Sequence, residues 1–334
     1  MITSKDSFFI LSSEDTRVNV LVVGGAGYVG GAVTDFLLSS SHNVRVYDWL
    51  LYEESYRKQV DFTFGDIRDT EKLKPQLEWA DAVIWLAAFV GDGACAINPE
   101  VSVEINQEAV RWFADNFDKR IIFPSTCSVY GAQDGELTED SPTNPLSVYA
   151  ITKLAAESIL AKRRPLILRL GTLFGVGDQF ARIRLDLVVN VLTVLAATEG
   201  KLTVFGGDQF RPLLHVKDVA KVMVDNLTTE HTGTFNIHRQ NVRIVDLAYQ
   251  VRNHFPDAEI HTTEMHFQDA RNYRVSSAKI ISEMNWKSCY SIDDGIEEIK
   301  ELVETRRLKD LQNPRYTNQR YLSQFMPELK KSGI

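Results

Sequence analysis

Apolar residues occur along this chain in short runs, and amphipathic stretches separate one run from the next. The runs predict buried strands, which are placed at residues 18–23, 43–47, 60–64, 82–88, 120–124 and 166–170. The stretch 29–39 follows the first run and has the spacing of a helix. Because strands that alternate with helices form parallel sheets covered on both faces, the pattern predicts an α/β fold with a doubly wound parallel sheet.

The rhythm of the chain changes after residue 165, where glycine-containing loops become longer. Helices are predicted there at 185–198 and 216–227. No low-complexity linker interrupts the sequence, so we expect the second half to pack directly on the first. The sequence predicts a polar leader (1–17), a first domain (18–170) and a C-terminal appendage (305–334). Residues 171–304 are predicted to form mainly a second, smaller α/β domain, with some segments that return to the first domain.

Composition and charge restrict the class of protein. The 334 residues are 44% hydrophobic and 25% charged, which is typical of a globular chain, and the net charge of −8 argues against nucleic-acid binding through bulk charge. The three cysteines, Cys95, Cys127 and Cys289, are too few and too scattered for a disulfide framework or a zinc site. The apolar run Phe8 to Leu11 is too short for a signal peptide, and no run reaches the ~18 residues of a membrane span. We therefore expect a cytoplasmic protein without a metal or a membrane segment.

A glycine-rich loop directly follows the first predicted strand and opens the first helix. Its glycines let the backbone turn tightly and approach a pyrophosphate at the helix N-terminus; they are Gly24, Gly27 and Gly30, with Tyr28 and Val29 in the same turn. Asp48 ends the second strand, where a carboxylate can accept both hydroxyls of a ribose. No arginine follows Asp48, which favours NAD over NADP. The competing interpretation is a plain turn followed by a solvated aspartate.

Three further residues form a set that can move protons. Tyr149 and Lys153 are four residues apart on a predicted helix and therefore share one face. An ammonium group beside a phenol lowers the pKa of the phenol and makes it a useful base. Thr126 follows the fifth strand, at the sheet edge where ligands bind in open α/β sheets. A hydroxyl, a tyrosine and a lysine are what the oxidation of a secondary alcohol by a nicotinamide requires.

With these motifs the chain resembles the extended short-chain dehydrogenase/reductase family, in its NAD-dependent nucleotide-sugar epimerase/dehydratase branch, over about residues 18–300. The matching pieces are, in order, the glycine loop, Asp48, Gly65-Asp66-Ile67, Leu86-Ala87-Ala88, Asn98-Pro99-Glu100, Asn106, the Thr126 segment, Tyr149 with Lys153, and the segment from Phe210 to Asp218. The resemblance implies a Rossmann-type domain that binds NAD, a substrate-binding domain, a nucleotide-diphosphate sugar as substrate and a part in carbohydrate biosynthesis.

The resemblance also implies roles for individual residues. Lys153 would bind the nicotinamide ribose and tune Tyr149, which would take a proton from a sugar hydroxyl while hydride passes to NAD. Thr126 would bind the same hydroxyl. Cofactor contacts are implied for Asp66, Ile67, Leu86, Ala87 and Ala88, and for Asp66 a plain turn role is an equal alternative.

Other residues of the resemblance concern the substrate. Arg211 and Arg271 would bind the nucleotide diphosphate, since an arginine fork suits phosphate oxygens, unless they form surface ion pairs. Thr172 would touch the same phosphates. His215 is expected to be structural. Arg182 and Arg184 would add a positive rim or be solvated charges on a helix.

The two residues after Thr126 distinguish the reactions of the branch. Its 4,6-dehydratases carry aspartate and glutamate there, and its sugar-acid decarboxylases carry a glutamate in the second place. Here the pair is Cys127 and Ser128, which favours a 4-epimerase because that reaction needs no such carboxylate. A dehydratase stays possible if the Cys127 thiol or Asp92 acts as acid and base. The competing interpretations are that Cys127 is a small buried residue and that Asp92 is a turn residue.

Two other functions remain open, and the resemblance also implies an oligomeric state. A 4-keto-sugar reductase would consume cofactor, whereas a non-catalytic dinucleotide sensor would not need Thr126, Tyr149 and Lys153. The family usually forms homodimers through two helices of each subunit. The candidates here are residues 100–117 and 147–162, although their apolar faces would also suit packing against the sheet.

Overall fold

The structure is a computed structural model that describes residues 17–180, 182–263 and 272–331, so the predicted leader lies outside it except for Arg17. The described strands are β1 (Asn19–Val23), β2 (Asn43–Asp48), β3 (Asp61–Phe64), β4 (Ala82–Trp85), β5 (Arg120–Thr126), β6 (Glu136–Leu137), β7 (Leu166–Leu170), β8 (Thr172–Phe174), β9 (Lys201–Phe205), β10 (Phe210–His215), β11 (Gly233–Ile237), β12 (Gln240–Arg243), β13 (Glu259–Thr263) and β14 (Arg274–Val275).

The described helices are α1 (Tyr28–Leu38), α2 (Thr70–Trp79), α3 (Asp92–Ile97), α4 (Pro99–Val103), α5 (Ala109–Asn116), α6 (Val148–Leu160), α7 (Val188–Glu199), α8 (Val216–Asp225), α9 (Ile244–Asn253), α10 (Ala278–Met284), α11 (Ile292–Glu304) and α12 (Asn318–Lys331). A π-helical turn, Glu104–Glu108, joins α4 to α5. No helix within the described ranges is long and apolar enough to cross a membrane.

Seven of the described strands form one parallel sheet, in the order β11-β7-β5-β4-β1-β2-β3. The chain runs outward from β1 to β3 and then returns to the other side of β1 at β4, so the strand order reverses between these two neighbours. In such sheets ligands bind in the crevice at the carboxyl ends of the strands beside the reversal. The doubly wound parallel sheet predicted from the sequence is confirmed.

Successive residues of β1 face opposite sides of the sheet and contribute to two different cores. Leu21 and Val23 pack with Trp85 and Phe113 on one side, which α5 and α6 cover. Val20 and Val22 point to the other side, where α1 and α8 supply the apolar residues. These four of the five residues of β1 are completely buried, as expected for a central strand of a parallel sheet.

The second half of the chain builds smaller sheets around a separate core. Strands β8, β10 and β12 form one sheet and β9 pairs with β13, with α7, α9 and α11 packed around them. One strand of this half, β11, instead joins the main sheet by pairing in parallel with β7. The two halves are therefore interleaved through β11.

Three predicted elements differ most from the observed ones, while the others agree within two residues at each end. The strand predicted at 82–88 ends at Trp85, because the N–H groups of Leu86 and Ala87 both donate to the carbonyl of Val23, at 2.7 and 2.9 Å. The helix predicted from residue 185 begins at Val188. The helix predicted over 100–117 contains the π-helical turn, which rotates the residues that follow it.

Candidate active site

A cavity lies at the carboxyl ends of β1, β2, β3 and β4, beside the point where the strand order reverses. Its lining comes from four loops and one helix turn, and consists of Gly24, Ala26, Gly27, Tyr47–Glu53, Gly65–Ile67, Leu86–Phe89 and Ile105. The lining includes eight of the residues predicted to bind the cofactor: Gly24, Gly27, Asp48, Asp66, Ile67, Leu86, Ala87 and Ala88. The structure thus brings distant parts of the sequence to one place.

The glycines of the loop have different reasons for being glycine. A Cβ at Gly24, whose φ is +89°, would lie 2.5 Å from the backbone nitrogen of Ala87, and a Cβ at Gly30 would lie 2.5 Å from the carbonyl oxygen of Gly24. A Cβ at Gly27 would meet only that same oxygen, at 3.4 Å, which is ordinary contact. The packing of the chain itself therefore requires Gly24 and Gly30 but not Gly27. Gly27 precedes the first turn of α1 and lines the cavity, so this cradle fits a pyrophosphate.

The two aspartates of the cavity are held in different ways. Asp48 accepts hydrogen bonds from the backbone nitrogens of Ala26 (3.0 Å) and Leu50 (2.7 Å), and these bonds partly offset the rise in its pKa that burial causes. Each of its carboxylate oxygens has a second lone pair that can accept a ribose hydroxyl. The Asp66 carboxylate pairs with Arg68 at 2.6 Å, so its charge already has a partner beside the cavity.

Tyr28 connects the glycine loop to the second half of the molecule. Its hydroxyl donates to the carbonyl oxygen of Gly175 at 2.6 Å, and the ring is buried. Val29 packs partly against the core of the main sheet. Both residues can therefore contact a phosphate only through the backbone of the first turn of α1.

The loop after β4, which lines the cavity, is held by one side chain from the π-helical turn. Asn106 accepts from the backbone nitrogen of Phe89 (2.8 Å) and donates to the carbonyl oxygen of the same residue (2.9 Å). Its amide nitrogen also lies 3.3 Å from the hydroxyl of Thr152 on α6. The π-helical turn thus fixes the cavity loop relative to the helix that carries Tyr149 and Lys153.

The structure brings Thr126, Tyr149 and Lys153 together. Thr126 ends β5, and the other two side chains project from α6, where Ser147 caps the helix N-terminus by accepting from the nitrogen of Ala150 at 3.2 Å. The Tyr149 hydroxyl is hydrogen-bonded to the side chain of Thr126. The ammonium nitrogen of Lys153 lies 3.8 Å from the ring centroid of Phe123, a residue of β5. Tyr149 is thus held against Thr126 at the end of β5, and Lys153 lies over Phe123, three residues earlier in the same strand.

The charges around this set differ from the expectation. Burial is the largest effect and raises the pKa of Tyr149 well above its usual range; Cys95 and Asp92 add to the rise, while Arg184 and Thr126 lower it. Burial also lowers the pKa of Lys153 to about 7, against the opposing influence of Glu157. The cation that acts on Tyr149 is thus Arg184, for which no such role was predicted.

Glu157 and Arg169 form a buried ion pair that the sequence analysis missed. The guanidinium of Arg169 donates to the Glu157 carboxylate at 2.7 and 3.1 Å, and Ser125 donates to the same carboxylate. Arg169 also donates to the Tyr130 hydroxyl at 2.9 Å. The signal was available, because a buried arginine within the apolar strand β7 needs an acidic partner.

Two candidate acids or bases occupy very different surroundings. The Cys127 thiol is completely buried, donates to the carbonyl oxygen of Arg169 at 3.2 Å and packs with Val129 and Val275, and its pKa is raised by burial. This favours the interpretation of a small buried residue. Asp92 begins α3, is partly exposed and accepts from the Ser147 hydroxyl at 2.7 Å, so it is held against the start of α6.

The predicted substrate residues of the second half lie on neighbouring strands. Thr172 begins β8 and pairs with Leu213 on β10, two residues beyond Arg211. Arg211 is buried and donates to the carbonyl oxygen of Phe210 at 2.8 Å. Arg271 lies outside the described residues. His215 is completely buried against Glu298 at 3.0 Å, in agreement with a structural role.

Arg182 and Arg184 are neither helical nor solvated, contrary to one of the two interpretations. Both precede α7, and both side chains are largely buried. Arg184 pairs with Asp186 at 2.6 Å, whereas Arg182 donates to the carbonyl oxygen of Arg315 at 2.6 Å. No cluster of His, Cys, Asp and Glu side chains within the described ranges could hold a metal ion.

Comparison with known proteins agrees with this geometry. Residues 20–237 match the model of the NAD dependent epimerase/dehydratase family. A UDP-glucose 4-epimerase of Lactobacillus helveticus is 30% identical over 238 residues, which span 64% of this chain and 71% of that protein. A dTDP-glucose 4,6-dehydratase of Shigella flexneri is 25% identical over 90% of this chain and 97% of its own length.

Solved structures show the same fold at lower identity. An NAD-dependent NDP-hexosamine 5,6-dehydratase involved in tunicamycin biosynthesis is 23% identical, with a TM-score of 0.78 over 88% of this chain and 100% of its own. A UDP-glucuronic acid 4-epimerase of Bacillus cereus, solved with UDP-glucuronic acid and NAD, is 23% identical with a TM-score of 0.74 over 86% and 99%. Since the family model matches well over half of the chain, the protein belongs to the NAD-dependent epimerase/dehydratase family of nucleotide-sugar enzymes.

Proposed function

We propose that the protein is a nucleotide-sugar 4-epimerase that uses tightly held NAD. The observation that carries the proposal is the placement of Tyr149 against Thr126, with Lys153 one turn further along the same helix and no carboxylate in the two positions after Thr126. These three side chains can handle the proton of a secondary alcohol, whose hydride would pass to bound NAD and return from it. The UDP-sugar 4-epimerases among the relatives support the same activity.

The cavity is proposed as the site of the adenosine half of NAD. The loop containing Gly24, Gly27 and Gly30 would hold the pyrophosphate with the backbone of Tyr28 and Val29. Asp48 would accept the ribose hydroxyls, and Asp66 with Ile67 would line the adenine. The segment Leu86–Ala88 would direct the rest of the dinucleotide towards Tyr149 and Lys153. When bound, NAD supplies a reversible acceptor for the hydride of the sugar alcohol.

The proton chemistry is proposed for this chain's own side chains. Tyr149 takes the proton of the C4 hydroxyl, and Thr126 orients that hydroxyl by hydrogen bonding. In the absence of ligands Tyr149 is protonated near neutrality, because burial raises its pKa. Arg184 lowers the pKa of Tyr149 against the larger effect of burial, and Lys153 is proposed to favour the phenolate further when it is protonated. In the return step Tyr149 gives the proton back after the sugar has presented its other face.

The diphosphate of the substrate is proposed to lie over β8 and β10. Arg211 supplies a guanidinium there and Thr172 a hydroxyl, and we extend the proposal to Arg271 from the sequence. A phosphate anion suits this position because Arg211 is buried in the site, where a charge-assisted hydrogen bond is strongest. Which base and which sugar are bound follows from the experiment below.

A dehydratase is the second candidate, and Asp92 is the observation that favours it. Asp92 is held against the start of α6 by Ser147 and contributes to the charge environment of Tyr149. A carboxylate in that place can act as the acid or base of an elimination. Relatives named as dehydratases belong to the same family.

The deciding experiment incubates the purified protein with UDP-, dTDP-, GDP- and CDP-sugars without added cofactor and analyses products by NMR and mass spectrometry. A product of unchanged mass with an inverted C4 centre is expected. A product lighter by one water would identify a dehydratase and direct attention to Asp92. Turnover only with added NAD(P)H would identify a 4-keto-sugar reductase, and bound NAD without any turnover would favour a sensor.

A further inference from the structure

The segment 313–326, here called the arm, is anchored beside the proposed NAD cavity. Its helix α12 packs against α3, and Gly93 lies so close to Gln319 that a Cβ there would overlap it. Leu322 and Met326 are buried in the same core as Phe89 of the cavity lining. The arm is thus an integral part of the first half of the molecule, although the chain reaches it last.

Two rings of the arm support the wall of the cavity from outside. The wall is formed by residues 49–53, which follow Asp48. The ring of Tyr321 lies 5.2 Å from that of Tyr52, and the ring of Phe325 lies 6.2 Å from that of Trp49 in an edge-on contact. Trp49 and Tyr52 are both cavity-lining residues, so the wall stands between the arm and the cavity.

Arg182 holds the same wall from another side and is itself held by the arm. Its guanidinium carbon lies 3.6 Å from the ring centroid of Tyr52. It donates to the carbonyl oxygen of Arg315 and to the side-chain oxygen of Asn318, both in the arm. Tyr52 is therefore in contact with two groups, Arg182 and Tyr321, whose positions depend on the arm.

Asn318 joins the arm to two other segments of the chain. Its side-chain nitrogen donates to the carbonyl oxygen of Val90 at 2.8 Å, just beyond the cavity loop. Its backbone nitrogen donates to Asp186 at 2.9 Å, and Asp186 also pairs with Arg184, the cation that acts on Tyr149. One residue thus connects the loop after β4, the segment before α7 and the arm.

We propose that the arm is a retaining element of the dinucleotide site, with Tyr321, Phe325 and Asn318 as its positioning residues. A bound dinucleotide can leave through this side only if residues 49–53 move outward, and that movement breaks the contacts of Trp49 and Tyr52 with the arm. Local opening of this kind sets the rate at which enclosed ligands escape. The arm therefore keeps NAD bound from one turnover to the next, as an epimerase requires. This proposal rests on the cavity being the NAD site.

The test compares NAD release from the wild type, a Tyr321→Ala/Phe325→Ala double variant and a Tyr249→Ala control. Tyr249 is 53% exposed on α9 and makes no part of the site. NAD per subunit is determined after purification, and release is followed by exchange with excess labelled NAD. Since each aromatic contact contributes a few-fold to an equilibrium, we expect release to be roughly tenfold faster in the double variant and unchanged in the control.

A second variant separates retention from general stability. Asn318→Ala leaves both rings in place and removes the bonds to Val90 and Arg182, so it is also expected to accelerate release. The melting temperature of each NAD-free variant is measured alongside. Release at the wild-type rate from folded Asn318→Ala and double variants would overturn the proposal. A wild type that neither carries nor binds NAD would instead overturn the assignment of the cavity.

Discussion

The ammonium nitrogen of Lys153 lies 3.8 Å from the ring centroid of Phe123, inside the protein rather than in water. Lys153 is only 4% exposed, and burial lowers its pKa to about 7. The ring face offsets part of the cost of burying the charge. In the absence of ligands, both the protonated and the neutral form of Lys153 are therefore populated near pH 7.

This burial predicts the pH dependence of stability. Between pH 7 and 10 the unfolded chain keeps the proton of Lys153 while the folded protein loses it, so stability rises with pH in this window. The fall in pKa from 10.5 to about 7 corresponds to a loss of folding stability of roughly 5 kcal/mol at pH 7 or below. We expect Lys153→Met to be inactive but more stable than the wild type at pH 7 in NAD-free protein. Urea denaturation at pH 7 and 9.5 should show this gain shrinking; a gain independent of pH would contradict it.

Removing the hydroxyl of Tyr149 should affect activity, whereas removing the hydroxyl of Tyr130 should affect stability. Tyr149→Phe removes the proposed base and should lower turnover by a factor of about a thousand while NAD stays bound. Tyr130→Phe removes a hydroxyl that donates to Asn236 at 2.7 Å and accepts from Arg169, so it should cost about 1–3 kcal/mol of stability. Its turnover should remain near that of the wild type. An active Tyr149→Phe protein would show that the base has been assigned wrongly.

The glycine loop predicts opposite outcomes for two similar changes. Gly27 has a φ of −79° and an extended ψ, so Gly27→Ala should fold normally, with the NAD-free protein at least as stable as the wild type. Its methyl group should nevertheless weaken NAD binding, which isothermal titration calorimetry measures. Gly30→Ala should be destabilised because its Cβ overlaps the Gly24 carbonyl. Unchanged NAD affinity in Gly27→Ala would argue against a phosphate at this turn.

Cys127 can be tested through substitution by residues of similar size. Cys127→Ser keeps a donor for the carbonyl oxygen of Arg169, whereas Cys127→Ala loses it and leaves a small cavity. We expect both variants to turn over substrate. The Cys127→Ala variant should be less stable than the wild type by about 1–2 kcal/mol. Thermal denaturation and a product assay measure the two effects. A folded Cys127→Ser protein without activity would restore the thiol as a candidate acid or base.

The expected homodimer is tested by two equally exposed isoleucines. Ile151 is 51% exposed on α6, one of the helices proposed to pair, and Ile281 is 50% exposed on α10. Ile151→Glu should dissociate the dimer, and Ile281→Glu should leave it intact, because a charge in a helix–helix interface remains unpaired. Light scattering after size-exclusion chromatography gives the masses. A wild type that is monomeric at all concentrations would contradict the expectation.

The sequence predicted the parts of the fold that local patterns determine. Leu166–Leu170 is an uninterrupted apolar run apart from Arg169, and its strand was placed at its observed bounds. The helix expected from residue 185 begins later because Leu187 is extended, and the backbone nitrogen of Leu185 donates instead to the carbonyl oxygen of Tyr316. That partner lies more than a hundred residues away, and no local pattern reveals it.

In the site, too, local patterns predicted some residues, while contacts between distant parts of the chain determine others. Tyr149 and Lys153 carry a spacing that can be read directly, whereas Arg184 affects Tyr149 only because a loop of the second half folds over the first. The docking of the arm was also unpredictable, since residues 313–334 are polar with isolated aromatics. The arm docks on Trp49 and Tyr52, which lie more than 250 residues earlier in the chain, and no local pattern links the two segments.

Strand β11 has a consequence for how the protein folds. It lies at the edge of the main sheet and pairs with β7, although more than sixty residues separate the two strands in sequence. A fragment ending at residue 170 would expose the backbone of β7 as an open edge, and such edges invite aggregation. The two halves should therefore melt together in a single calorimetric transition, and gene fusions or domain exchanges that cut the chain after β7 should yield insoluble protein.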